Sequence, residues 1–140
     1  MAYAAHVEKT VPLPRARVYE CLTDFGGIDR IAPDAVESVT MEGEGIGSVR
    51  TLQLKGAPGV VRERLETAFD GRLMSYSIVE NAVLPVDHYH AVVTLTDAPG
   101  GGCTVGWGSH WVARGAPAAE VKAMLEGLYG NLIEGIVKLG

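Results

Sequence analysis

The sequence lacks a basic run, a membrane-length apolar run and a close cysteine pair, and each absence removes a class of protein. Lys and Arg number 12 against 17 Asp and Glu, for a net charge of −5. A nucleic-acid or anionic-membrane surface is therefore not expected. No apolar stretch approaches the roughly 18 residues of a membrane span. Met1 to Thr10 holds no apolar signal-peptide core, so a cytoplasmic location is expected. The two cysteines, Cys21 and Cys103, fall in different element types without CxxC spacing. Two free thiols are the default. No internal repeat is evident, and no glycine-rich phosphate loop opens a long helix. What remains is 140 residues, 47% apolar and 21% charged. That is enough chain for one domain, residues 1–140, with a substantial core.

The chain is organised around its C-terminal stretch, Ala116 to Leu139. Apolar residues recur at Val121, Leu125, Leu128, Leu132, Ile133 and Ile136, the spacing of one helix face. Pro117 suits the first turn. Gly127, Gly130 and Gly135 interrupt the helix and imply close packing or room for something beside it. The remainder reads mostly as strands: Tyr3–Val11, Val36–Met41, Val49–Leu54, Val60–Phe69, Leu73–Val79, Asp87–Thr96 and Thr104–Ala113. Two short helices, Arg15–Leu22 and Ile28–Ile31, follow the first strand. Consecutive hairpins, one of them turning at Asp70-Gly71, imply an antiparallel sheet. Its apolar face needs a cover, and only the C-terminal helix is long enough. The fold class expected is α+β, a seven-stranded antiparallel sheet wrapped around one long helix.

That order of elements resembles the SRPBCC or START-like helix-grip superfamily. This group includes polyketide cyclase/dehydratase proteins, the birch pollen allergen and the plant abscisic acid receptors. The carriers of the resemblance are Val11-Pro-Leu-Pro-Arg-Ala-Arg-Val18, Leu22-Thr-Asp-Phe25, Gly45-Ile-Gly-Ser-Val-Arg50 and Glu63-Arg-Leu-Glu66. Gly56-Ala-Pro58 resembles the receptors' gate loop, and Leu84-Pro-Val-Asp-His-Tyr89 falls where their latch would be. Ala57 replaces the gate leucine, the His-Arg-Leu latch is absent, and Trp107 stands where a cavity carboxylate would be. Hormone recognition is therefore not carried over. The resemblance implies a helix-grip fold around a ligand cavity, with Pro58 and Val86 in its two closing loops. It also implies a ligand-side position for Asn131.

Glu63 is the most informative residue. Alternation places it with Val61, Leu65 and Thr67, while Arg62, Arg64 and Glu66 face solvent. A carboxylate there is a ligand anchor, a general acid/base or half of a structural ion pair. Lys9 and Arg50 share apolar faces of other strands and are the candidate partners. Tyr76, Tyr89, Tyr129, Trp107 and Trp111 are an aromatic lining with polar tips, or plain core. Leu52, Leu54, Leu65, Ile78 and Leu128 are the apolar walls, and Ser109 faces inward beside Trp107. The inward parity of that last strand, with Gly106, Gly108 and His110 outward, is the least constrained. His88 and His90 share a strand face. His90 falls opposite His110, and His6 stands nearby on the first strand. No carboxylate or cysteine completes a metal set in sequence, so these read as an ordinary outer face.

The expected function is binding of a hydrophobic, aromatic or polyketide-like small molecule. Its cyclisation or dehydration would follow by acid/base catalysis without metal or organic cofactor, with Glu63 and Tyr89 as the catalytic pair. A non-catalytic carrier or sensor of the same fold is the alternative, and a partner-regulating module is a third. The expected partner is the small molecule itself, with a homodimer the one self-association considered.

Overall fold

The computed structural model of the protein describes residues 2–140. Seven strands form one antiparallel sheet: β1 (Ala5–Val11), β2 (Val36–Glu42), β3 (Val49–Leu54), β4 (Val60–Phe69), β5 (Leu73–Asn81), β6 (Val86–Asp97) and β7 (Cys103–Ala113). Helices α1 (Arg15–Thr23) and α2 (Ile28–Ile31) follow β1, and α3 (Ala118–Leu139) closes the chain. The strand order is β1-β7-β6-β5-β4-β3-β2, so β1 and β2 are the two edges. This is the helix-grip arrangement. No helix is long and apolar enough to cross a membrane among the described residues.

The sheet curls around α3. Val121, Leu125, Tyr129, Leu132, Ile133 and Ile136 are buried on the helix's inner face, each contributing about 1.5–3 kcal/mol of apolar burial. Inner-face residues Val61, Leu65, Met74, Tyr76, Ala91, Val93, Leu95 and Val105 oppose them. Helix α3 starts two residues later than the periodicity predicts, because Pro117 sits at the N-cap with an extended ψ of 143° rather than inside the first turn. On α1, Val18, Cys21 and Leu22 are buried while Ala16 is exposed.

The three helix glycines have different reasons. A Cβ on Gly135 would lie 1.9 Å from the Ile31 carbonyl oxygen, so this glycine lets α2 touch α3. Gly130 lies against the Lys9 side chain, and Gly127 faces open space. The predicted turn at Asp70-Gly71 forms with φ of 55° and 66° at the two residues. Its closing bond runs from the Arg72 N–H to the Phe69 carbonyl at 3.0 Å, the geometry of a type I′ hairpin.

Strict alternation fails in β6. His88 takes φ of 55° and the β6–β7 register slips between Asp87 and His90. This bulge lets Val86 and Tyr89, three residues apart, both face inward. In β7 the inward set is as expected, with Val105, Trp107 and Ser109 buried. Gly106 and Gly108 on the other face are buried too, because the Tyr3 ring lies directly on Gly108 and the Thr94 and His6 side chains lie against Gly106.

Candidate functional site

A cavity of about 320 Å³ opens between α3 and the inner face of the sheet. Its walls are Leu52 and Leu54 from β3, Ile78 from β5, and Leu125, Leu128 and Leu132 from α3. Ile28, Ala32, Ala35 and Val36 close one side, and Lys55, Val61, Leu84 and Met124 complete the apolar and mouth lining. Five polar residues line this largely apolar space: Arg50, Lys55, Glu63, Tyr76 and Tyr89.

Arg50 and Glu63 are direct cross-strand partners on β3 and β4. Both side chains point inward, so the ladder itself makes the pair. The Arg50 Nε donates to Glu63 Oε1 at 2.7 Å, and Nη1 donates to the Phe25 carbonyl at 3.1 Å. The guanidinium lies 3.8 Å from the Phe25 ring centroid and 5.2 Å from that of Tyr76, within cation–π range. Side-chain exposures of 5% and 9% make this a desolvated pair. Its charges are held because each has a partner at close range. Glu63 Oε2 makes no hydrogen bond among the described residues, yet is not a sealed, unsatisfied atom. It is the carboxylate oxygen open to the cavity.

Behind this pair runs a file of polar groups. Trp107 Nε1 donates to the Tyr76 hydroxyl at 3.2 Å. The Tyr76 and Tyr89 hydroxyls stand 3.5 Å apart, and Tyr89 bonds the Tyr129 hydroxyl closely. Tyr129 donates to Ser109 Oγ at 2.7 Å. An indole is a donor only, so Tyr76 accepts there and keeps its own proton free. Its contact to Tyr89 is long for an O–H···O bond. The Tyr76 proton is therefore the donor most available to a ligand. Burial pushes the Tyr76 and Tyr89 phenols well above their ordinary range, with Glu63's charge adding to the effect at Tyr76 and the neighbouring phenols at Tyr89. Burial likewise pushes Tyr129 up to about 12. All three remain neutral donors at physiological pH.

The structure brings Arg50, Glu63, Leu52, Leu54, Tyr76, Ile78, Tyr89 and Leu128 together around the cavity. Leu65, Val86, Trp107 and Ser109 are buried outside its lining. Trp107 and Ser109 reach it only through the tyrosines. Trp111 is half-buried, and its indole N–H is enclosed without a partner among the described residues. Three expected residues stand elsewhere. Lys9 pairs with Glu134 at 3.6 Å. It cannot approach Glu63, because β1 is an edge strand with β7, β6 and β5 between it and β4. Pro58 is exposed at a loop tip, and Asn131 is exposed on another side of α3.

The histidines sit on the outer face. His90 pairs with His110 across the ladder as expected, and its Nδ1 bonds Ser77 Oγ at 2.9 Å. Tyr3 stacks on His6 and tilts against His110, with ring centroids 5.3 and 5.1 Å apart. His88 leaves the face at the bulge. No group of three His, Cys, Asp or Glu side chains converges among the described residues.

The two loops at the mouth are each tied by one amide that sequence reasoning does not single out. Asn81 Nδ2 donates to the Leu84 and Val86 carbonyls, and its Oδ1 accepts from the Val83 and Leu84 N–H groups. Gln53 Nε2 lies within hydrogen-bond distance of the Leu54, Ala57 and Gly59 carbonyls. The loops touch: a Cβ on Gly59 would meet the Ala82 side chain at 3.0 Å. Asn before a Leu-Pro turn is a readable loop-tying signal; a strand glutamine carries none.

A family model described as polyketide cyclase/dehydrase and lipid transport matches residues 4–139. The chain belongs to this family. Solved structures repeat the fold at low identity. XoxI from Bacillus cereus superposes with a TM-score of 0.77 at 22% identity, covering 96% of this chain and 94% of that one. An uncharacterised protein from Bacillus thuringiensis gives 0.73 at 21%, covering 96% and 98%. Norcoclaurine synthase from Thalictrum flavum, in complex with dopamine and hydroxybenzaldehyde, gives 0.76 at 16%, covering 96% and 83%. No curated protein sequence matches. At these identities the structural neighbours speak for the fold alone. Family and fold together make this a ligand-binding helix-grip protein.

Proposed function

We propose that the cavity takes an apolar, carbonyl-bearing molecule of aromatic or polyketide type and promotes its cyclisation and dehydration without a cofactor. The observation that carries this reading is the placement of a carboxylate and a protonated phenol, Glu63 and Tyr76, on one largely apolar cavity. Glu63 takes a proton from the carbon between two carbonyls of the substrate. The resulting enolate carbon bonds to a second carbonyl carbon. Tyr76, with Tyr89 behind it, gives a proton to the new alkoxide. That hydroxyl then leaves as water with a hydrogen from the adjacent carbon, forming a double bond. The proton on Glu63 returns to the phenolate, so one water is lost overall. Positioning a flexible chain for closure contributes alongside the proton transfers.

A carrier is the second reading, and the Arg50–Glu63 pair favours it. A carboxylate already bonded to a guanidinium is a restrained base. The family description also includes lipid transport. Displacement of an anilinonaphthalene dye by an aryl triketone, with turnover of the same compound, separates the readings. Glu63→Gln should bind within about threefold of the wild type and lose on the order of 100-fold or more in turnover. Binding without turnover in the wild type would leave the carrier. Absence of binding would remove both.

A further inference from the structure

A second hollow lies next to the cavity. It measures about 290 Å³ and runs between α3 and the α2–β2 connection. Four residues line both spaces: Ala32, Ala35, Leu128 and Leu132. The partition therefore consists of two half-buried alanines facing two leucines. The gap has a structural origin. Gly135 presses α3 onto the Ile31 carbonyl. Moving from Gly135 back to Leu128 travels roughly 10 Å along the helix. Over that distance the connection faces the helix with the short side chains of Ala32, Pro33, Asp34 and Ala35. The outer hollow has a different chemistry from the cavity. Asn131 and Lys138 from α3 and Asp34 from the connection stand on it. All three are exposed. Lys138 and Asp34 bring one charge of each sign to this hollow, and the Asn131 amide offers a donor and an acceptor to an uncharged group.

We infer that the two hollows form one elongated site, which takes a molecule with a polar group at each end. This rests on the ligand-binding reading above. The inner carbonyl lies toward Tyr76 and Arg50. The apolar middle passes between Ala32 and Leu128. An uncharged hydrogen-bonding end, such as an amide or hydroxyl, lies at Asn131. The arrangement would select ligands by length. A short ligand fills only the inner cavity, and one whose far end stops among the leucines buries a polar group unpaired.

The test uses aryl ketones bearing a terminal carboxamide on alkyl tethers of increasing length, with the untethered aryl ketone and methyl-terminated tethers as controls. Affinities are read by calorimetry on the full chain. Above one tether length the carboxamide should bind about 3- to 10-fold tighter than its methyl-terminated equivalent, the worth of one or two hydrogen bonds. Asn131→Ala should erase that difference and leave the untethered ketone unaffected. Ala32→Leu, which narrows the passage, should weaken the long tethers by more than it weakens the untethered ketone, since Ala32 lines both hollows. If the untethered ketone binds but no tether length separates amide from methyl, the elongated site is wrong and the cavity reading stands. If Asn131→Ala preserves the difference, the outer end lies elsewhere and the inference is equally overturned. If the untethered ketone itself does not bind, the cavity reading fails and takes this inference with it.

Discussion

Replacing Arg50 by Met tests whether the cavity's ion pair is as desolvated as its geometry implies. The variant keeps the apolar stem of the side chain and loses the guanidinium that stacks on the Phe25 and Tyr76 rings. It removes the charge, the 2.7 Å bond to Glu63 and the 3.1 Å bond to the Phe25 carbonyl. A carboxylate 9% exposed is then left without its cation. Breaking one half of a buried pair costs about 3–5 kcal/mol. Against the roughly 5–15 kcal/mol of an ordinary domain, that is a large share of the stability. At about 3 °C per kcal/mol for a chain of this size, the melting point should fall by roughly 10–15 °C. The double variant Arg50→Met/Glu63→Leu removes both charges and should return to within about 1 kcal/mol of the wild type, or exceed it. Urea unfolding of the four proteins in a double-mutant cycle gives the coupling directly. A loss below about 1 kcal/mol in Arg50→Met would show that water reaches the pair through the cavity. A double variant as unstable as the sum of the singles would show that the two residues do not act on each other.

Two glycines of α3 should respond with opposite signs. Gly127→Ala meets nothing within 4 Å and should stabilise by about 1 kcal/mol through helix propensity. Gly135→Ala would drive a methyl into the Ile31 carbonyl and should cost about 1–3 kcal/mol, both read by urea unfolding. Asn81→Ala removes the side chain bridging Val83, Leu84 and Val86. Amide exchange should speed up across residues 82–86 and stay unchanged at the Pro99–Gly102 turn, and ligand affinity should drop because more ordering is left to binding. In alkaline titration followed by phenolate absorbance, Tyr129 should ionise near pH 12 rather than near 10, with Tyr76 and Tyr89 later than ordinary phenols. The folded phenols hold their protons more tightly than the unfolded ones. Their contribution to stability is therefore complete below about pH 10 and lost as pH climbs through 12. Full ionisation of all three by pH 11 in still-folded protein would refute the buried file of hydroxyls.

The sequence by itself determined the elements, because their signals are local. Alternation in Val60–Phe69 placed Glu63 inside before any contact was known, and 3.6-residue spacing marked the gripping helix. The Asp70-Gly71 turn followed from the positive φ that those two residues tolerate. Periodicity misreads Asp87–His90, where a bulge adds a residue and changes which side chains share a face. A local pattern cannot announce that, since the extra residue is visible only against its partner strand.

Partnership was decided by the tertiary structure. Lys9 and Arg50 look equivalent as candidates for Glu63, each a cation on an apolar strand face. Sheet order separates them, placing Arg50 on the adjacent strand and Lys9 at the far edge beside Glu134. The same holds for Trp107, Tyr76, Tyr89, Tyr129 and Ser109, which come from β7, β5, β6 and α3 and meet only when the sheet curls around the helix. Gly135 carries no sign in the sequence that it faces Ile31 rather than solvent, as Gly127 does. Faces follow from the chain's own geometry, residue by residue. Which faces meet is settled by packing among segments far apart in the chain, and the cavity is the space that this packing leaves unfilled.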